Sequence, residues 1–247
     1  MYTTMLKLLS YPLTALYFLC FGLSLLIFHP IQWVCFNVFG YEAHKRSVSI
    51  LNWFLIRCTN VLGTRYTFTN KQDIPTDKPL IIVTNHQSMN DIPAIIWYMR
   101  KYHPKFVSKK ELGKGIPSVS YNLRHGGSVL IDRKDPKQAL MAIASLGKYI
   151  EQHNRSAVIF PEGTRSRDGK PKPFKPMGLK TLLKKAPNAL VVPISINNSW
   201  KLLKYGKFPM GLGAHVTFEV HPLIANEGDL DLLMEKIETV VKSGIKS

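Results

Sequence analysis

Cysteine is scarce in this 247-residue chain. The three cysteines, Cys20, Cys35 and Cys58, are odd in number, lie in the first quarter of the sequence and lack the spacing of metal ligands. This pattern argues against a disulfide framework and against a zinc site. We therefore expect no metal centre, and thiols that act as small buried apolar side chains in a reducing compartment.

Acidic residues are also few. The chain has 16 Asp and Glu against 33 Lys and Arg, which gives a formal net charge of +17. A chain this basic favours an anionic partner, which is a nucleic acid, an acidic lipid surface or a phosphorylated substrate. The charge alone does not choose among these three.

Charge of either sign is absent between Lys7 and Glu42. The longest proline-free apolar piece there, residues 13–28, would reach about 24 Å as a helix at ~1.5 Å per residue. It falls short of the roughly 30 Å of a bilayer core, and His29-Pro30 then interrupts it. A second, partly apolar piece follows at residues 48–63. Because basic residues lie at both ends of the region, the pattern favours keeping both ends on the cytosolic side.

We therefore predict two parts, a membrane-embedded helical hairpin in one leaflet (residues 1–62) and an α/β domain (residues 63–247). Candidate interface anchors are Trp33, Tyr41 and Trp53. A cleaved signal peptide is the weaker alternative, because no small-x-small cleavage pattern follows the apolar core. A single spanning helix that continues past residue 28 stays open as well.

From residue 65 onward, short β-rich runs alternate with helical stretches, and no internal repeat, heptad array or low-complexity tract occurs. This alternation predicts an α/β fold with a mostly parallel central sheet flanked by helices, preceded by the N-terminal apolar helical hairpin. In such sheets, ligands lie beyond the carboxyl ends of the strands. The predicted strands are residues 66–69, 80–84, 105–108, 128–131, 157–160, 190–196 and 216–221, and the predicted helices are residues 92–102, 116–123, 136–153, 178–185 and 229–242.

The stretch NHQSMND, residues 85–91, lies where a predicted strand ends and a predicted helix begins. At ~100° per residue, His86 and Asp91 could not share a helix face, so we place His86 in the turn and Asp91 at the helix start. A carboxylate bonded to one imidazole nitrogen leaves the other as a base toward a substrate hydroxyl. The alternative is a capping Asp beside a hydrogen-bonded turn His. Ser88 is a weaker nucleophile candidate, because no Gly-x-Ser-x-Gly elbow surrounds it.

Two further strand ends carry polar residues. The run GSVLIDR ends at Arg133, and FPEGTRS places Glu162, Gly163, Thr164 and Arg165 in one turn. Glycine permits backbone amides to point at an anion, and Arg165 can fork onto phosphate oxygens. Surface residues without a binding role are the alternative for both runs.

Four blocks occur in this order over about residues 80–196: Asn-His-x4-Asp, Gly-x3-Ile-Asp-Arg, Phe-Pro-Glu-Gly-Thr-Arg-Ser and Val-Pro-Ile. Together they resemble the four blocks of the glycerolipid acyltransferase superfamily, and most closely its bacterial 1-acyl-sn-glycerol-3-phosphate acyltransferases. The resemblance implies that His86 is the catalytic base, that Asp91 orients it, and that Pro193 shapes the acyl-binding side. The residues implied to bind substrate are Arg133, Glu162, Gly163, Thr164 and Arg165, with Lys109 from FVSKKEL as a further candidate that is equally compatible with a solvated charge.

The resemblance implies an interfacial enzyme that moves a fatty acyl group from an acyl thioester to the sn-2 hydroxyl of lysophosphatidic acid and forms phosphatidic acid, without a metal or redox cofactor. The implied partners are lysophosphatidic acid, acyl-acyl carrier protein or acyl-CoA, and an anionic membrane surface. The expected location is the cytosolic face of the cell inner membrane or plasma membrane, as a monotopic protein. Glycerol 3-phosphate or another lysolipid stays open as the acceptor.

A membrane-tethered protein that binds anionic lipid or nucleic acid is a different class, motivated by eight Lys and Arg against one acidic residue in residues 165–185. No basic helix or strand carries regularly placed aromatics for base stacking, so nucleic acid is not expected as a partner. A metal-dependent hydrolase is less favoured, because no further His/Asp/Glu cluster accompanies the first motif.

Overall fold

The computed structural model describes residues 2–246, with side chains for residues 4–246. Within this range, seven strands form one sheet, at the positions that the sequence predicts. The strands are β1 (Arg65–Asn70), β2 (Leu80–Thr84), β3 (Pro104–Lys109), β4 (Val129–Ile131), β5 (Ser156–Ile159), β6 (Leu190–Asn197) and β7 (His215–Val220).

The strand order across the sheet is β1-β7-β6-β2-β5-β3-β4. Five of the neighbouring pairs are parallel, and only β6 and β7 run antiparallel. This arrangement confirms the mostly parallel sheet. Because β2 and β5 are adjacent and parallel, the turns that follow them meet at the same edge, which we call the carboxyl edge.

The central strands β2 and β5 are apolar except for Thr84 and Ser156 at one end of each, because both of their faces are covered. Every residue of β2 and β5 is buried. Their side chains alternate between two apolar clusters, with Ile82 in one and Ile81 and Val83 in the other. The flanking helices are α2 (Asp91–Tyr98), α3 (Val119–His125), α4 (Pro136–His153), α5 (Pro176–Lys185) and α6 (Leu230–Ser243).

The N-terminal helix α1 (Tyr2–Cys58) is bent back on itself at Gly40, whose φ of 78° is left-handed. Its first arm (residues 2–39) and second arm (residues 41–58) run antiparallel. Ser24 Oγ lies 3.7 Å from Cys58 Sγ, and the Phe28 and Phe54 ring centroids are 5.6 Å apart. The two arms therefore form a helical hairpin.

The turn of this hairpin is not where the sequence places it. We expected His29-Pro30 to interrupt the first arm, but the helix continues through Pro30 and bends at Gly40. A proline removes one helical hydrogen bond and can be tolerated where packing holds the helix. A reversal of the chain needs a residue that adopts positive φ without strain, and Gly40 supplies it.

The first arm exposes apolar side chains at helical spacing along its length. The stretch Thr4–Leu62 is long and apolar enough to cross a membrane, and only 22% of its most apolar window is buried. The division of the chain at residue 62 stays a prediction, and Met1, which we expect on the same side as the domain, lies outside the described residues. The exposed side chains include Met5, Leu8, Leu9, Leu16, Leu19, Leu23, Leu26, Ile27, Ile31, Val34 and Val38.

The opposite side of the first arm contacts the domain through polar groups. The hydroxyl of Tyr17, a residue that is fully buried, donates to Asn90 Oδ1 at 3.2 Å. The backbone N–H of Met210 donates to Thr14 Oγ1 at 2.9 Å. Since Asn90 immediately precedes α2, the hairpin touches the turn that carries the predicted base.

Candidate active site

The turn between β2 and α2 brings His86 and Asp91 together. His86 Nδ1 lies 2.8 Å from Asp91 Oδ2, and the same oxygen accepts hydrogen bonds from the backbone N–H groups of Gln87 and Ser88, each at 2.8 Å. Asp91 is the first residue of α2 and is fully buried. Because the carboxylate accepts, Nδ1 carries the proton of the neutral imidazole, and in this tautomer Nε2 is the nitrogen with the free lone pair. The five-residue spacing therefore produces the predicted pair.

A third group, Ser199, completes this arrangement and was missed from the sequence. Its hydroxyl donates to Asp91 Oδ1, and its backbone N–H donates to Gln87 Oε1 at 2.9 Å. Ser199 begins the short 3-10 turn that follows β6, the strand next to β2. Its position just after the Val-Pro-Ile block is the only signal that the sequence offers, since 108 residues separate it from Asp91.

Phe160 holds the other side of the imidazole. Its ring stacks on the His86 ring with centroids 4.1 Å apart and an interplanar angle of 26°. Phe160 directly follows β5, so two adjacent strands place the base and its packing partner. The ring of His86 is thus fixed by a hydrogen bond on one side and by an aromatic face on another, while 15% of its side-chain surface stays exposed.

Glu162 lies directly beside the base. Its Oε1 accepts a hydrogen bond from the His86 backbone N–H at 3.2 Å, and its Oε2 has no partner among the described residues. Only 2% of the residue is exposed. Burial raises the pKa of Glu162 to about 7, although the His86 N–H and nearby Lys172 act in the opposite direction. A large share of Glu162 is therefore protonated at neutral pH and can donate as well as accept.

In the remainder of the FPEGTRS turn, Thr164 and Arg165 are exposed, whereas Gly163 is half-buried. Gly163 has a φ of 71°, and its N–H donates to the Phe160 carbonyl at 3.0 Å, so this amide closes the turn rather than facing outward. The Lys172 ammonium donates to Thr164 Oγ1 at 3.0 Å and to the Arg165 carbonyl at 2.9 Å. The guanidinium of Arg165 stays in solvent.

Lys109 and Arg133 lie farther along the same edge. Lys109 ends β3 and pairs with Ile131 of β4, and Arg133 follows two residues later. Both side chains are exposed and make no hydrogen bond or ion pair with any residue whose side chain the structure describes. Since β4 is three strands from β2, a spacing of ~4.8 Å per strand separates their ends by about 14 Å. The structure thus brings His86, Asp91 and Glu162 together and leaves Lys109 and Arg133 at the rim.

Pro193 lies in the interior of the sheet, where it pairs with Val83 of β2. It is fully enclosed within β6, and its carbonyl accepts from the His221 N–H at 3.0 Å. A proline is tolerated there because the ladder with β7 starts only at the next residue, Ile194. Across residues 4–246, no group of three or more His, Cys, Asp or Glu side chains could hold a metal ion.

Comparison with known proteins places this site in a family. A 1-acyl-sn-glycerol-3-phosphate acyltransferase of Helicobacter pylori is 41% identical over 134 residues, which cover 51% of this chain and 54% of that protein. One from Chlamydomonas reinhardtii is 28% identical over 227 residues, covering 91% of this chain and 67% of that protein. The Helicobacter alignment therefore spans little more than half of that relative's length.

The fold is also shared with a solved structure. The crystal structure of the 1-acyl-sn-glycerophosphate (LPA) acyltransferase from Thermotoga maritima matches with a TM-score of 0.80 and 25% identity, over 97% of this chain and 95% of that one. The family model described as Acyltransferase matches residues 65–197, more than half of the sequence. All four sequence blocks fall within that range, and the chain therefore belongs to the Acyltransferase family.

Proposed function

We propose that this protein transfers a fatty acyl group from an acyl thioester to the sn-2 hydroxyl of 1-acyl-sn-glycerol 3-phosphate and forms phosphatidic acid. The observation that carries the proposal is the fixed imidazole of His86, whose Nδ1 is held by Asp91 and whose Nε2 makes no hydrogen bond among the described residues. The names of the relatives support the acceptor, since each denotes an acyltransferase for 1-acyl-sn-glycerol phosphate.

The proposed reaction is a direct transfer. Nε2 of His86 removes the proton of the acceptor hydroxyl while the oxygen attacks the thioester carbonyl carbon. The tetrahedral intermediate then collapses, the carbon–sulfur bond breaks, and the imidazolium returns its proton to the thiolate. Asp91 stabilises the imidazolium and keeps Nδ1 protonated. No acyl-enzyme forms in this scheme, because Ser88 lies buried with its hydroxyl accepting from the Asn90 N–H.

The acceptor phosphate would bind to the exposed cations at the carboxyl edge. Arg165 lies on the turn next to the base, the half-buried Lys172 donates hydrogen bonds to that turn, and Arg133 and Lys109 lie at the rim. A protonated Glu162 beside His86 can donate a hydrogen bond to a substrate oxygen. This layout places the reacting hydroxyl near the buried pair and the phosphate toward solvent.

The donor would be acyl-CoA or acyl-acyl carrier protein, which are both anionic and which both suit the basic segment of residues 165–185. The first arm of α1 would lie in one leaflet with its exposed apolar side chains among the lipid tails. The protein is then monotopic and faces the cytosol. This placement puts the catalytic turn at the membrane surface, where both the acceptor and the acyl chain are found.

A panel of acceptors tests the proposal. Purified protein in lipid vesicles is assayed by thin-layer chromatography with lysophosphatidic acid, glycerol 3-phosphate and a zwitterionic lysolipid, each with acyl-CoA and with acyl-acyl carrier protein. We expect phosphatidic acid from lysophosphatidic acid at a far higher kcat/KM than product from the other acceptors. Preferred use of glycerol 3-phosphate or of the zwitterionic lysolipid would overturn the assigned acceptor while leaving the chemistry of transfer in place.

Membrane placement is tested separately. The protein should stay in membranes through washes with high salt and alkaline buffer, because apolar contacts and not charges hold the hairpin. A labelled tag at Met1 and one on α6 should be accessible from the same side. Opposite accessibility of the two tags would rule out the monotopic arrangement.

A further inference from the structure

A second group of cations lies at the tip of the hairpin, away from the carboxyl edge. It forms where Tyr41 packs against the starts of β3 and β5. Lys105 Nζ donates to the Tyr41 hydroxyl oxygen at 2.7 Å, and the Arg155 guanidinium carbon lies 3.9 Å from the centre of the Tyr41 ring. Four residues of β3, at ~3.3 Å each, separate Lys105 from Lys109 by about 13 Å along the strand. The hairpin tip is thus distinct from the candidate active site.

The cations of this group have little negative charge beside them. Lys105 is 5% exposed, and Lys45 and Arg100 line the same cavity. Among the described residues, the carboxylate that pairs with this group is Glu42, 3.6 Å from Lys45, and its side chain is 60% exposed. Burial, followed by the charges of Arg155 and Lys45, lowers the pKa of Lys105 to about 7. A buried ammonium with two cations as neighbours is destabilised unless an anion joins it.

Hydrogen-bond donors also outnumber acceptors at this position. Burial and the charge of Lys45 lower the pKa of His103 to about 4, so its ring is neutral. Lys45 Nζ lies 2.9 Å from His103 Nε2, and since the ammonium has only donors, Nε2 accepts. The proton of His103 is then on Nδ1, which donates to the Tyr41 oxygen at 3.1 Å.

The hydroxyl oxygen of Tyr41 therefore accepts two hydrogen bonds, from His103 and from Lys105. Its own proton has no acceptor among the described residues. The amide of Asn122 and the hydroxyl of Ser128 line the same cavity. The cavity volume is about 30 Å³, roughly two to three times the 10–15 Å³ that one water needs.

We propose that the cavity between Tyr41, Lys45 and Lys105 is a binding site for a phosphate group, separate from the catalytic centre. A phosphate group supplies several acceptor oxygens and negative charge. The oxygens can accept the proton of the Tyr41 hydroxyl, and the negative charge can pair with the ammonium groups of Lys45 and Lys105. The phosphate can belong to an anionic lipid, since Phe39, two residues before Tyr41, is 68% exposed on the apolar side of the tip. It can also be free phosphate from solution. Occupancy of either kind ties the hairpin tip to β3 and β5.

The first test measures binding of a free anion by isothermal titration calorimetry on the full chain in detergent. Sulfate is the main probe because, unlike phosphate, its charge is constant between pH 6 and 8. Lys105→Met should weaken sulfate binding about tenfold or more, since it removes a charge-assisted hydrogen bond. Tyr41→Phe keeps the ring against Arg155 and should weaken binding by a smaller factor. Lys78→Met, which removes an exposed cation elsewhere, is the matched control and should change nothing.

The pH dependence of sulfate binding distinguishes this site from the candidate active site at the carboxyl edge. Sulfate binding favours charged Lys105, so the affinity should be constant below pH 7 and should fall as the pH rises above it. The histidines and the tyrosine that face the cavity do not produce this profile, because burial lowers the pKa values of His103 and His44 to about 4 and raises the pKa of Tyr41 to about 12, all outside that range. Lys105→Met should lose the profile, whereas Arg165→Ala should keep it.

The second test asks where the phosphate comes from. The protein is incubated with phosphatidylcholine vesicles that contain phosphatidylglycerol, and the lipids that stay bound after purification are identified by native mass spectrometry. Retained phosphatidylglycerol in the parent protein and its loss in Lys105→Met identify a lipid head group, and sulfate binding without lipid retention identifies free phosphate. Equal sulfate affinity in the parent protein, Lys105→Met and Tyr41→Phe, with intact helical circular dichroism, would overturn the proposal. Neither test measures turnover, so the proposed acyl transfer stands or fails independently.

Discussion

The turn after β2 buries its polar groups, whereas the turns after β4 and β5 leave their arginines in solvent. Asp91 is fully buried and accepts four hydrogen bonds, from the His86 side chain, two backbone N–H groups and Ser199. Arg133 and Arg165 are exposed, and neither guanidinium forms an ion pair within the part of the chain that the structure describes. The carboxyl edge thus has a rigid part, which is the hydrogen-bonded turn after β2, and an adaptable part, which is the pair of exposed arginines.

From this difference we expect the rigid part and the adaptable part to control different kinetic constants. A base held by several hydrogen bonds is positioned before substrate arrives, so its loss should reduce kcat. Exposed arginines acquire their partners only when a phosphate binds, so their loss should act on acceptor binding and on kcat/KM. Substitutions in the rigid part and in the adaptable part test this assignment of kinetic constants.

The largest effect is expected for His86→Ala. General-base catalysis contributes about 10²- to 10⁴-fold, so kcat should fall by that factor in a steady-state assay with lysophosphatidic acid. Binding to vesicles should be unchanged, because the hairpin is intact. Near-normal turnover of the purified variant, or an acyl-protein adduct formed at a competent rate, would falsify the direct-transfer mechanism.

The matched partner variant is Asp91→Asn. It should also lower kcat, since the amide can donate to Nδ1 and favours the wrong tautomer of His86. The double variant His86→Ala/Asp91→Asn should be no slower than His86→Ala alone, because the two residues act as a unit. Additive losses would mean that Asp91 acts through something other than the imidazole.

The next largest effect on activity is expected for Arg165→Ala. Loss of a charge-assisted hydrogen bond costs about 1.5 to 3 kcal/mol, which corresponds to roughly 10- to 100-fold in kcat/KM for lysophosphatidic acid. The KM of the acyl donor should change little. Arg167→Ala removes a cation of the same loop and serves as the control. If the donor constant changes and the acceptor constant does not, Arg165 binds the other substrate.

A smaller effect is expected for Ser199→Ala. The variant removes one donor to Asp91, and a hydrogen bond of about 0.5 to 1.5 kcal/mol translates into roughly a 2- to 10-fold lower kcat. The KM for lysophosphatidic acid should stay the same, because Ser199 is buried behind the carboxylate. Ser243→Ala, at an exposed position on α6, is the control. A raised KM with unchanged kcat would place Ser199 among the binding residues instead.

The last prediction concerns Glu162, whose ionisation should make the thermal stability depend on pH. Burial raises its folded-state pKa from the ordinary 4.5 to about 7, so its contribution to stability is present in full below pH 4.5 and is lost as the pH rises through 7. Glu162→Gln should flatten this part of the curve of Tm against pH. The measurement is thermal unfolding by circular dichroism from pH 4.5 to 8. Parallel curves for the parent protein and the variant would show that Glu162 is charged throughout.

Local pattern was enough to predict the sheet and the central pair. Strands β2 and β5 are apolar except for Thr84 at the end of β2 and Ser156 at the start of β5, as expected for strands covered on both faces. His86 and Asp91 could be paired because a single turn contains them both. That the turns after these strands meet at one edge follows as well, because the strands are parallel, whereas the strand order is seen only in the structure.

Contacts between distant segments could not be predicted in this way. Ser199 and Phe160 reach the site because β6 and β5 flank β2. Phe160 begins the FPEGTRS block, but the sequence predicts neither its stacking on His86 nor the hydrogen bond from Ser199 to Asp91. The bend at Gly40 was missed for a different reason. Pro30 is the stronger local signal for an interruption, but packing against the second arm and α3 keeps the helix continuous there.

The contact between Tyr17 and Asn90 has a practical consequence for making this protein. A chain that begins after residue 62 would lack the exposed apolar surface of the first arm, which hinders purification. It would also expose to water the side of the turn between β2 and α2 that the first arm covers. Asn90 would lose the phenol that meets its amide oxygen, and Met210 would lose the threonine that accepts its N–H. The segment that we propose to lie in the membrane also covers buried groups of the α/β domain, so its removal alone should not give a stable soluble protein.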